Sequence, residues 1–235
     1  MQSIIIKDAL RAAFPYTVPI MTAFIFLGMA YGFYAVAAGF PYYYPIITAA
    51  IVFGGSLEFV TVSMLLSAFA PLETFIMAFM IQARHLFYGL AMLDKYKNTG
   101  WKKFFLIFGM CDETFALNYT VKVPAGIDKG YFMLWITFLD WFYWVCGAAL
   151  GGILGKALPF DTTGLDFVMT AMFVVIFLEQ WLNEKHHYTA LIGFGITVLM
   201  LNIFGAAAFI IPSMLGILIL LIVFRAKLQR KVQNS

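Results

Sequence analysis

Long runs of apolar residues, separated by short polar or Pro/Gly clusters, dominate the chain. Residues 12–57 contain no Asp, Glu, Lys or Arg over 46 positions, and residues 188–224 contain none over 37. One helix that crosses a bilayer needs only about 20 apolar residues, so each run is long enough for two crossings. Because backbone groups in lipid must be hydrogen-bonded within their own segment, these runs are predicted to be helical.

The polar interruptions divide the chain into eight apolar segments. Their predicted bounds are about 17–38, 46–70, 72–93, 104–120, 131–155, 166–182, 189–204 and 207–225. The fourth segment is short, so seven crossings plus one re-entrant piece is an alternative to eight crossings. The predicted fold class is all-α: a polytopic membrane helix bundle with seven or eight transmembrane segments, some of them broken or re-entrant.

Composition supports a membrane protein. Hydrophobic residues make up 63% of the chain and charged residues only 11%, whereas soluble domains carry about 25% charge. A water-soluble enzyme core and nucleic-acid binding are therefore excluded. We predict a single integral membrane domain over residues 1–235, with a short cytoplasmic N-terminal segment at about 1–13 and a basic C-terminal tail at about 225–235.

The basic residues bear on orientation. In the eight-crossing interpretation nine Lys and Arg residues, including Lys122 and Lys129, share the side of both termini. The opposite side then carries Lys95, Lys97, Lys102, Lys103 and Lys156. Basic residues are enriched in the cytoplasmic loops of membrane proteins, so nine basic residues on one side against five on the other favours cytoplasmic termini. Four lysines in one outer loop fit this rule poorly. If the second segment only dips into the membrane and the last run crosses once, that loop lies inside.

Ionisable side chains lie within three of the apolar segments. A charge at mid-membrane costs about 3 kcal/mol or more, so such groups usually face a cavity or a partner. These groups are Glu58 in the second segment, Arg84 and His85 in the third, and Asp112 and Glu113 in the fourth. The stretch Gly54, Gly55 and Ser56 lies just before Glu58. These positions are the candidate site.

The spacing of these groups suggests roles and alternatives. Adjacent Asp112 and Glu113 point in different directions, so one is expected to meet Arg84 or His85 and the other to face water or substrate. A purely structural ion pair is the alternative. Gly54 and Gly55 each weaken a helix by about 1 kcal/mol relative to Ala, which predicts an unwound stretch with exposed N–H groups.

Three ionisable groups have two interpretations each. Glu58 is either functional or a protonated acid hydrogen-bonded to a backbone carbonyl. His85 is either a proton relay or a core imidazole. The ordinary pKa of a histidine side chain, about 6.5, suits the first of these roles. Asp140 either lines a cavity or reaches the headgroups.

The fifth segment carries a small-residue face. Gly147, Gly151 and Gly155 recur every four residues, which lets another helix approach closely. The face is predicted to pack against a helix and is a candidate contact for a partner. Motifs for nucleotide binding, metalloproteases and serine hydrolases are absent, so we expect no enzyme activity, no cofactor and no metal.

Two motifs resemble the AzlC-like family of branched-chain amino acid exporters. Residues 84–89 (RHLFYG) resemble its RHxxYG signature, and residues 112–116 (DETFA) resemble its DExFA signature. The resemblance implies a bacterial inner-membrane carrier that exports amino acids such as valine together with a small hydrophobic AzlD-like subunit. Glu58 departs from the family, which usually has Gln at the matching position.

A zwitterionic amino acid needs donors for its carboxylate, an acid for its ammonium group and an apolar pocket. We assign the carboxylate to Arg84, Gly54, Gly55 and Ser56. We assign the ammonium group to Asp112 or Glu113, add Tyr88 to the same site, and assign proton coupling to His85 and Glu58. The predicted function is a proton-coupled secondary transporter that exports branched-chain or other small neutral amino acids; a passive channel and a non-transporting membrane scaffold are the alternatives.

Overall fold

The computed structural model describes residues 2–68, 71–157, 187–205 and 209–233, and the isolated positions 167, 174, 177, 178, 181 and 182. All regular structure within these ranges is α-helical. The predicted segment 166–182 lies outside the described residues apart from those isolated positions. The chain forms two compact units, residues 1–169 and 170–235.

Eight helices are described in the first unit. They are α1 (Gln2–Ala37), α2 (Tyr43–Ile51), α3 (Gly55–Leu66), α4 (Pro71–Gln82), α5 (Arg84–Met92), α6 (Lys102–Phe108), α7 (Asp112–Thr120) and α8 (Lys129–Ala157). Of the helices described, α1 and α8 are long and apolar enough to cross a membrane. The predicted N-terminal segment is the first part of α1. We name the two ends of this unit the Lys129 end and the Ala157 end, after the ends of α8.

Helices α1 and α8 lie side by side and run in the same direction. Trp135 Nε1 donates a hydrogen bond to Ile6 O at 3.0 Å near the Lys129 end. Further along, Thr17 Oγ1 lies 3.2 Å from Tyr143 OH. Residue numbers rise together along the contact, so the packing is parallel.

Glycines bring the two backbones into contact. A Cβ at Gly28 of α1 would lie 2.8 Å from Trp144 O, and one at Gly147 of α8 would lie 2.7 Å from Ile25 O. Real Cβ atoms essentially never come this close to other atoms. Only glycine therefore fits at these two positions without moving the helices apart.

The contact between α1 and α8 also involves the small-residue face predicted on α8. Gly151 lies against the backbone of Met29, and a Cβ at Gly155 would lie 3.2 Å from Phe33 Cδ1. Together with Gly147, these glycines form the face that packs on α1. This corrects the expectation of a partner contact there, because α1 of the same chain already covers the face.

Helices α2 and α3 form a hairpin that enters from the Ala157 end. A Cβ at Gly152 would lie 2.6 Å from Tyr42 O, immediately before α2 begins. At the other end of α2, Trp141 Nε1 donates to Ala50 O at 3.1 Å. Helix α2 therefore runs from the Ala157 end to the middle of α8.

Helix α3 returns to the end from which α2 came. It begins at Gly55, where a Cβ would lie 3.0 Å from Cη2 of the Trp144 ring. Further along, the Phe59 ring stacks on Tyr34, with the ring centroids 5.7 Å apart. Since Tyr34 lies in the last turns of α1, α3 leads back to the Ala157 end.

Helices α4 and α5 make one pass from the Ala157 end to the Lys129 end. Ala83 alone separates them, and its backbone angles, φ −57° and ψ −29°, are helical. Gln82 lies where a Cβ at Gly54 would be, so α4 reaches the tip of the first hairpin. At the far end, Met92 packs in one cluster with Met133, in the second turn of α8.

Helices α6 and α7 form a second hairpin, which enters from the Lys129 end. Lys102 Nζ lies 4.0 Å from the centre of the Tyr131 ring, near the start of α8. After α6 ends, a Cβ at Gly109 would contact the Thr137 side chain. Helix α6 therefore runs inward along α8.

Helix α7 brings the chain back to the Lys129 end. In its first turn, Thr114 Oγ1 donates to Asp140 Oδ2 at 2.9 Å. After the helix ends, Val121 packs against a cluster that includes Phe132. The contacts thus move from the middle of α8 back toward its start.

These contacts disagree with the interpretation of 46–70 and 104–120 as crossings, and for 46–70, the second apolar segment, they agree with the alternative in which it only dips into the membrane. Both segments are hairpins that return to the end where they began. The break at Phe53 and Gly54 agrees with the predicted unwinding at Gly54, whereas Gly55 already belongs to α3. Hydropathy does not separate the two cases, because a buried hairpin is as apolar as a crossing helix. The first unit therefore contains three passes, formed by α1, α4 with α5, and α8.

The hairpins also correct the distribution of basic residues. Lys95 Nζ donates to Asn118 O at 3.1 Å, and burial and then the charge of Lys129 lower the pKa of Lys95. Lys95 and Lys129 therefore lie at the same end, which the eight-crossing interpretation had placed on opposite sides. In the described part of the first unit the Lys129 end carries Lys7, Arg11, Lys95, Lys97, Lys102, Lys103, Lys122 and Lys129, and the Ala157 end carries Lys156.

Two helices are described in the second unit, α9 (Tyr188–Phe204) and α10 (Ile210–Gln233). A Cβ at Gly216 would lie 3.1 Å from Ile196 Cγ2, and one at Gly193 would lie 3.9 Å from Ile217 Cδ1. The pairing is therefore antiparallel. Helix α10 continues through most of the predicted basic tail, 225–235, rather than ending before it.

Candidate functional site

Interruptions of three helical segments meet in the middle of the first unit. The first hairpin turns at Phe53 and Gly54, and Gly54 has non-helical backbone angles, φ −138° and ψ 73°. The second hairpin turns just after Phe108, whose ring centre lies 6.5 Å from that of Phe53. The third is the junction between α4 and α5 at Ala83. The neighbouring residue Gln82 contacts Gly54, so this junction lies next to the first hairpin tip.

Arg84 links the two hairpin tips. Its Nη1 forms an ion pair with Asp112 Oδ2 at 2.9 Å, and its Nη2 lies 3.4 Å from Ser56 Oγ. Asp112 begins α7 and Ser56 lies in the first turn of α3, so one guanidinium touches both hairpins. The two charged side chains are 31% and 27% exposed, so a small solute can reach the pair.

Two helices begin beside this arginine, since its contacts Ser56 and Asp112 lie in their first turns. Helix α3 begins at Gly55 and helix α7 begins at Asp112. The free N–H groups at a helix start carry a partial positive charge of about half an electron, which favours anionic groups nearby. Acidic residues occupy both first turns, with Glu58 in α3 and Glu113 beside Asp112 in α7. Half-helix ends of this kind bind carboxylates in transporters.

Glu58 is held by donors from two elements. Its side chain is 1% exposed, and Oε1 accepts from Gly54 N at 2.9 Å. Trp144 Nε1 lies 3.1 Å from each carboxylate oxygen. The carboxylate therefore fastens the hairpin tip to α8, and its partners are N–H donors rather than the backbone carbonyl considered from the sequence.

This arrangement bears on the three positions assigned to a substrate carboxylate. The Gly54 N–H is occupied by Glu58, and the Gly55 Cα faces the ring of Trp144. Ser56 Oγ faces Arg84. Of the three, Ser56 is the one placed beside the arginine.

Tyr88 and His85 extend the site along α5. Tyr88 lies near the Asp112 carboxylate, and its ring stacks on Phe115 with the ring centroids 4.4 Å apart. The His85 ring packs edge-on against Tyr88 with centroids 5.4 Å apart. His85 Nδ1 lies 3.2 Å from Gln82 O.

Asp112 and Glu113 take different partners. Asp112 pairs with Arg84, whereas Glu113 lies near the Cys111 thiol. This agrees with the expectation that adjacent acids point in different directions. In the described residues no group of three His, Cys, Asp or Glu side chains is placed to hold a metal ion.

A cavity of about 750 Å³ lies beside the place where the hairpin tips meet. His85, Gln82 and Lys103 are its polar lining residues, and the rest of its wall is largely apolar side chains from α5 and α6. Arg84, Asp112 and Glu113 are not part of the lining. The cavity is large enough for a small apolar side chain and adjoins the ion pair through His85.

The sequence did not reveal a buried polar ladder between α7 and α8. Besides the Thr114–Asp140 bond, Asn118 Nδ2 lies 3.2 Å from Thr137 Oγ1 and 3.4 Å from Tyr96 OH. Asp140 is fully buried, so it does not reach the headgroups, and it is not among the residues that line the cavity described above. Polar residues one helical turn apart, Thr114 and Asn118 on α7 and Thr137 and Asp140 on α8, were the sequence pattern that could have predicted it.

Comparison with known proteins adds the family. Residues 19–158 match the family model described as AzlC protein. The branched-chain amino acid transport protein AzlC of Bacillus subtilis (strain 168) is 55% identical over 222 residues, 94% of this chain and 87% of that protein. No solved structure matches the chain.

Two further relatives are described as uncharacterized membrane proteins. The one from Haemophilus influenzae is 42% identical over 230 residues, 97% of this chain and 94% of that protein. The one from Helicobacter pylori (strain J99) is 33% identical over 221 residues, 94% of this chain and 97% of that protein. With the family model covering more than half of its length and a relative at 55% identity, the chain belongs to the AzlC family.

Proposed function

We propose that this protein is a secondary transporter of the bacterial inner membrane that exports branched-chain or other small neutral amino acids in exchange for protons. The observation that carries the proposal is Arg84, paired with Asp112 and touching Ser56 where two hairpin tips meet inside an apolar bundle. The name of the Bacillus relative supports the substrate class. A small AzlD-like subunit as partner is proposed on the family resemblance.

The ion pair is suited to a zwitterion. A bound amino acid offers a carboxylate to Arg84 and an ammonium group to Asp112, so it replaces one ion pair by two without leaving a charge unpaired. An anion or a cation alone would leave one member of the pair without a partner. Glu113 and Tyr88 flank the ammonium position, and the neighbouring cavity takes the apolar side chain.

The hairpins support alternating access. The first enters from the Ala157 end and the second from the Lys129 end, so each tip is reached from a different side of the membrane. A tip that moves away from Arg84 opens the site to its own side only. Such pairs of broken segments, directed inward from opposite sides, are typical of secondary transporters.

The basic residues support an orientation. Eight Lys and Arg lie at the Lys129 end of the first unit and one lies at the Ala157 end, so we propose that the Lys129 end faces the cytoplasm. With three passes in the first unit and the three segments still predicted over 166–225, the proposal for the whole chain is six crossings. Both termini are then cytoplasmic.

The test is a flux measurement with purified protein in liposomes, alone and with the small subunit. Labelled valine should leave loaded vesicles faster when protons flow in the opposite direction. Arg84→Ala should reduce this flux by about two orders of magnitude, since truncating one partner of a charge pair costs about 2–5 kcal/mol when the pair is buried, and the partly exposed Arg84–Asp112 pair falls toward the lower end of this range. Arg11→Ala, an exposed arginine at the Lys129 end, is the matched control.

Each alternative gives a different result in the same assay. Normal valine flux from Arg84→Ala would remove this residue from the site. Flux that ignores the proton gradient would identify a channel. Absence of flux for all twenty amino acids, with and without the small subunit, would identify a non-transporting scaffold.

A further inference from the structure

Asp140 is a buried carboxylate in the middle of α8. Its relative exposure is 0%. Oδ2 accepts one hydrogen bond, from Thr114 Oγ1 at 2.9 Å. Oδ1 is fully buried and has no hydrogen-bond partner among the described residues.

No basic side chain of the described residues lies within ion-pair distance of Asp140. The ion pairs found there join Arg84 to Asp112 and Lys97 to Asp94. The ionisable groups that face Asp140 are Cys111, immediately before α7, and Glu113 in its first turn. A buried carboxylate without a cation costs several kcal/mol, and a second acid nearby adds to that cost, so the site is suited to binding a cation or a proton.

Glu58 differs from Asp140 in this respect. Both of its oxygens accept N–H donors, from Gly54 and from Trp144, and it lies in the first turn of α3, where the helix end favours negative charge. Its ionised form is therefore well accommodated. Of these two buried acids, Asp140 is the one whose charge is poorly compensated.

We propose that Asp140 Oδ1 is the site where the coupling proton binds and from which it is released. This inference rests on the transport function proposed above and gives the proton a location that the sequence had assigned to Glu58 and His85. A proton is favoured over a metal cation because Thr114 Oγ1 is the one oxygen recorded in contact with this carboxylate among the described residues, whereas hard cations such as Ca²⁺ take six or more oxygen ligands.

The position of Thr114 connects the proton to the substrate. Thr114 follows Asp112 and Glu113 in the first turn of α7, so the same turn contacts Arg84 on one side and Asp140 on the other. Because α6 and α7 enter from the Lys129 end, separation of α7 from α8 exposes Asp140 toward that end. The proton then exchanges with water on that side while the Arg84–Asp112 pair is disturbed.

Asp140→Asn, which imitates the protonated acid, tests this role. Two rates are measured in proteoliposomes: valine exchange at equal concentrations, and net valine flux with and without a pH gradient. In wild type the gradient should accelerate net flux. In Asp140→Asn the ratio of the two net fluxes should fall to about 1 while exchange stays within about threefold, because substrate binding does not require the proton to move.

Asp128→Asn is the matched control, because it makes the same change at an exposed residue that caps α8 through Tyr131 N. It should keep the wild-type response to the gradient. Full gradient stimulation in Asp140→Asn would overturn the inference while leaving the transport function intact. Wild-type protein that moves no valine would instead overturn the transport function itself.

A measurement on the wild-type chain covers the case in which the variant does not fold. A hydrophobic carbodiimide reacts with protonated carboxyls in apolar surroundings: the acid proton moves to a carbodiimide nitrogen and a carboxylate oxygen bonds to the central carbon. Mass spectrometry should locate the adduct on Asp140 and show less of it at alkaline pH. An adduct on Glu58 or Glu113 with Asp140 unmodified would contradict the proposal, as would stimulation of net flux by a Na⁺ gradient at equal pH on both sides.

Discussion

Arg84 has a geometry that lysine cannot reproduce. Its planar guanidinium offers donors in a fixed fork, so Nη1 reaches Asp112 while Nη2 lies near Ser56. Lysine would place one compact charge at a single point and lose one of the two contacts. The contact with two separate hairpins therefore follows from the chemistry of the side chain as well as from its position.

A residue-scale prediction concerns the fastening of the first hairpin. Trp144→Phe removes the donor shared by both Glu58 oxygens and should lower stability by about 1–3 kcal/mol, the cost of leaving a buried acceptor unsatisfied. Glu58→Gln should cost less than about 1 kcal/mol, because its carbonyl oxygen can still accept from Gly54 and Trp144. The melting temperature of the purified protein in detergent measures both.

Trp101→Phe is the matched control, since Trp101 is 65% exposed. It should melt like wild type. A Trp144→Phe variant that melts at the same temperature as Trp101→Phe would show that the Glu58 contact does not hold the hairpin tip.

At the element scale, glycine-mediated packing joins α1 to α8. The backbones touch at Gly28 and Gly147, and side chains of ordinary size at either position would push the helices apart. Because the two helices are the longest in the described part of the chain, their contact forms the frame on which both hairpins rest. The sequence pattern in α8 predicted the close approach but not which helix takes part.

An element-scale prediction follows for Gly147→Ala. The added Cβ would lie 2.7 Å from Ile25 O, so the helices must separate, at a cost of about 1–3 kcal/mol. Thermal melting in detergent should show the loss. Gly195→Ala is the control: the added Cβ meets nothing within 4 Å, and the helix should gain up to about 1 kcal/mol.

If Gly147→Ala melted at or above the temperature of Gly195→Ala, the close α1–α8 contact would not exist in solution. The two variants differ only in what surrounds the same added methyl group. The difference between their melting temperatures therefore measures the cost of crowding the contact between α1 and α8.

What could be predicted from the sequence depends on the range of the interaction. An ion pair between Arg84 or His85 and one of the two adjacent acids was predictable because a charge inside an apolar segment requires an opposite charge, whereas the choice of Arg84 and Asp112 was not. The break at Gly54 was predictable because two adjacent glycines weaken the local helix preference. The partner of Glu58 was not, because Trp144 lies 86 positions away, and neither was the return of each hairpin, because its direction is set by contacts with α8.

At the scale of the whole molecule, the first unit repeats one arrangement in opposite directions. A pass followed by a hairpin occurs as α1 with α2 and α3, and again as α4 and α5 with α6 and α7. In each copy a tyrosine of the pass contacts a phenylalanine of the hairpin: Tyr31 with Phe59 at 5.4 Å and Tyr88 with Phe115 at 4.4 Å. Inverted repeats of this kind place a site at the centre of the membrane.

A whole-molecule prediction concerns the hairpins and the membrane. In a background with Cys111 and Cys146 replaced by Ser, Lys97→Cys and Ala125→Cys flank the second hairpin, so both should react with an impermeant thiol reagent from the cytoplasmic side. Pro41→Cys and Ser67→Cys flank the first hairpin and should react from the outside. Labelling of residues 97 and 125 from opposite sides would show that 104–120 crosses the membrane.

The central claim is that the Arg84–Asp112 pair binds the charged groups of the amino acid. Equilibrium binding of labelled valine to the purified transporter tests it most directly, with Asp112→Asn compared with the exposed-site control Asp94→Asn. We predict that Asp112→Asn weakens binding at least about tenfold, or about 1.4 kcal/mol, because the ammonium group loses its counter-charge. Asp94→Asn should bind like wild type, and equal valine affinity in all three proteins would contradict the account.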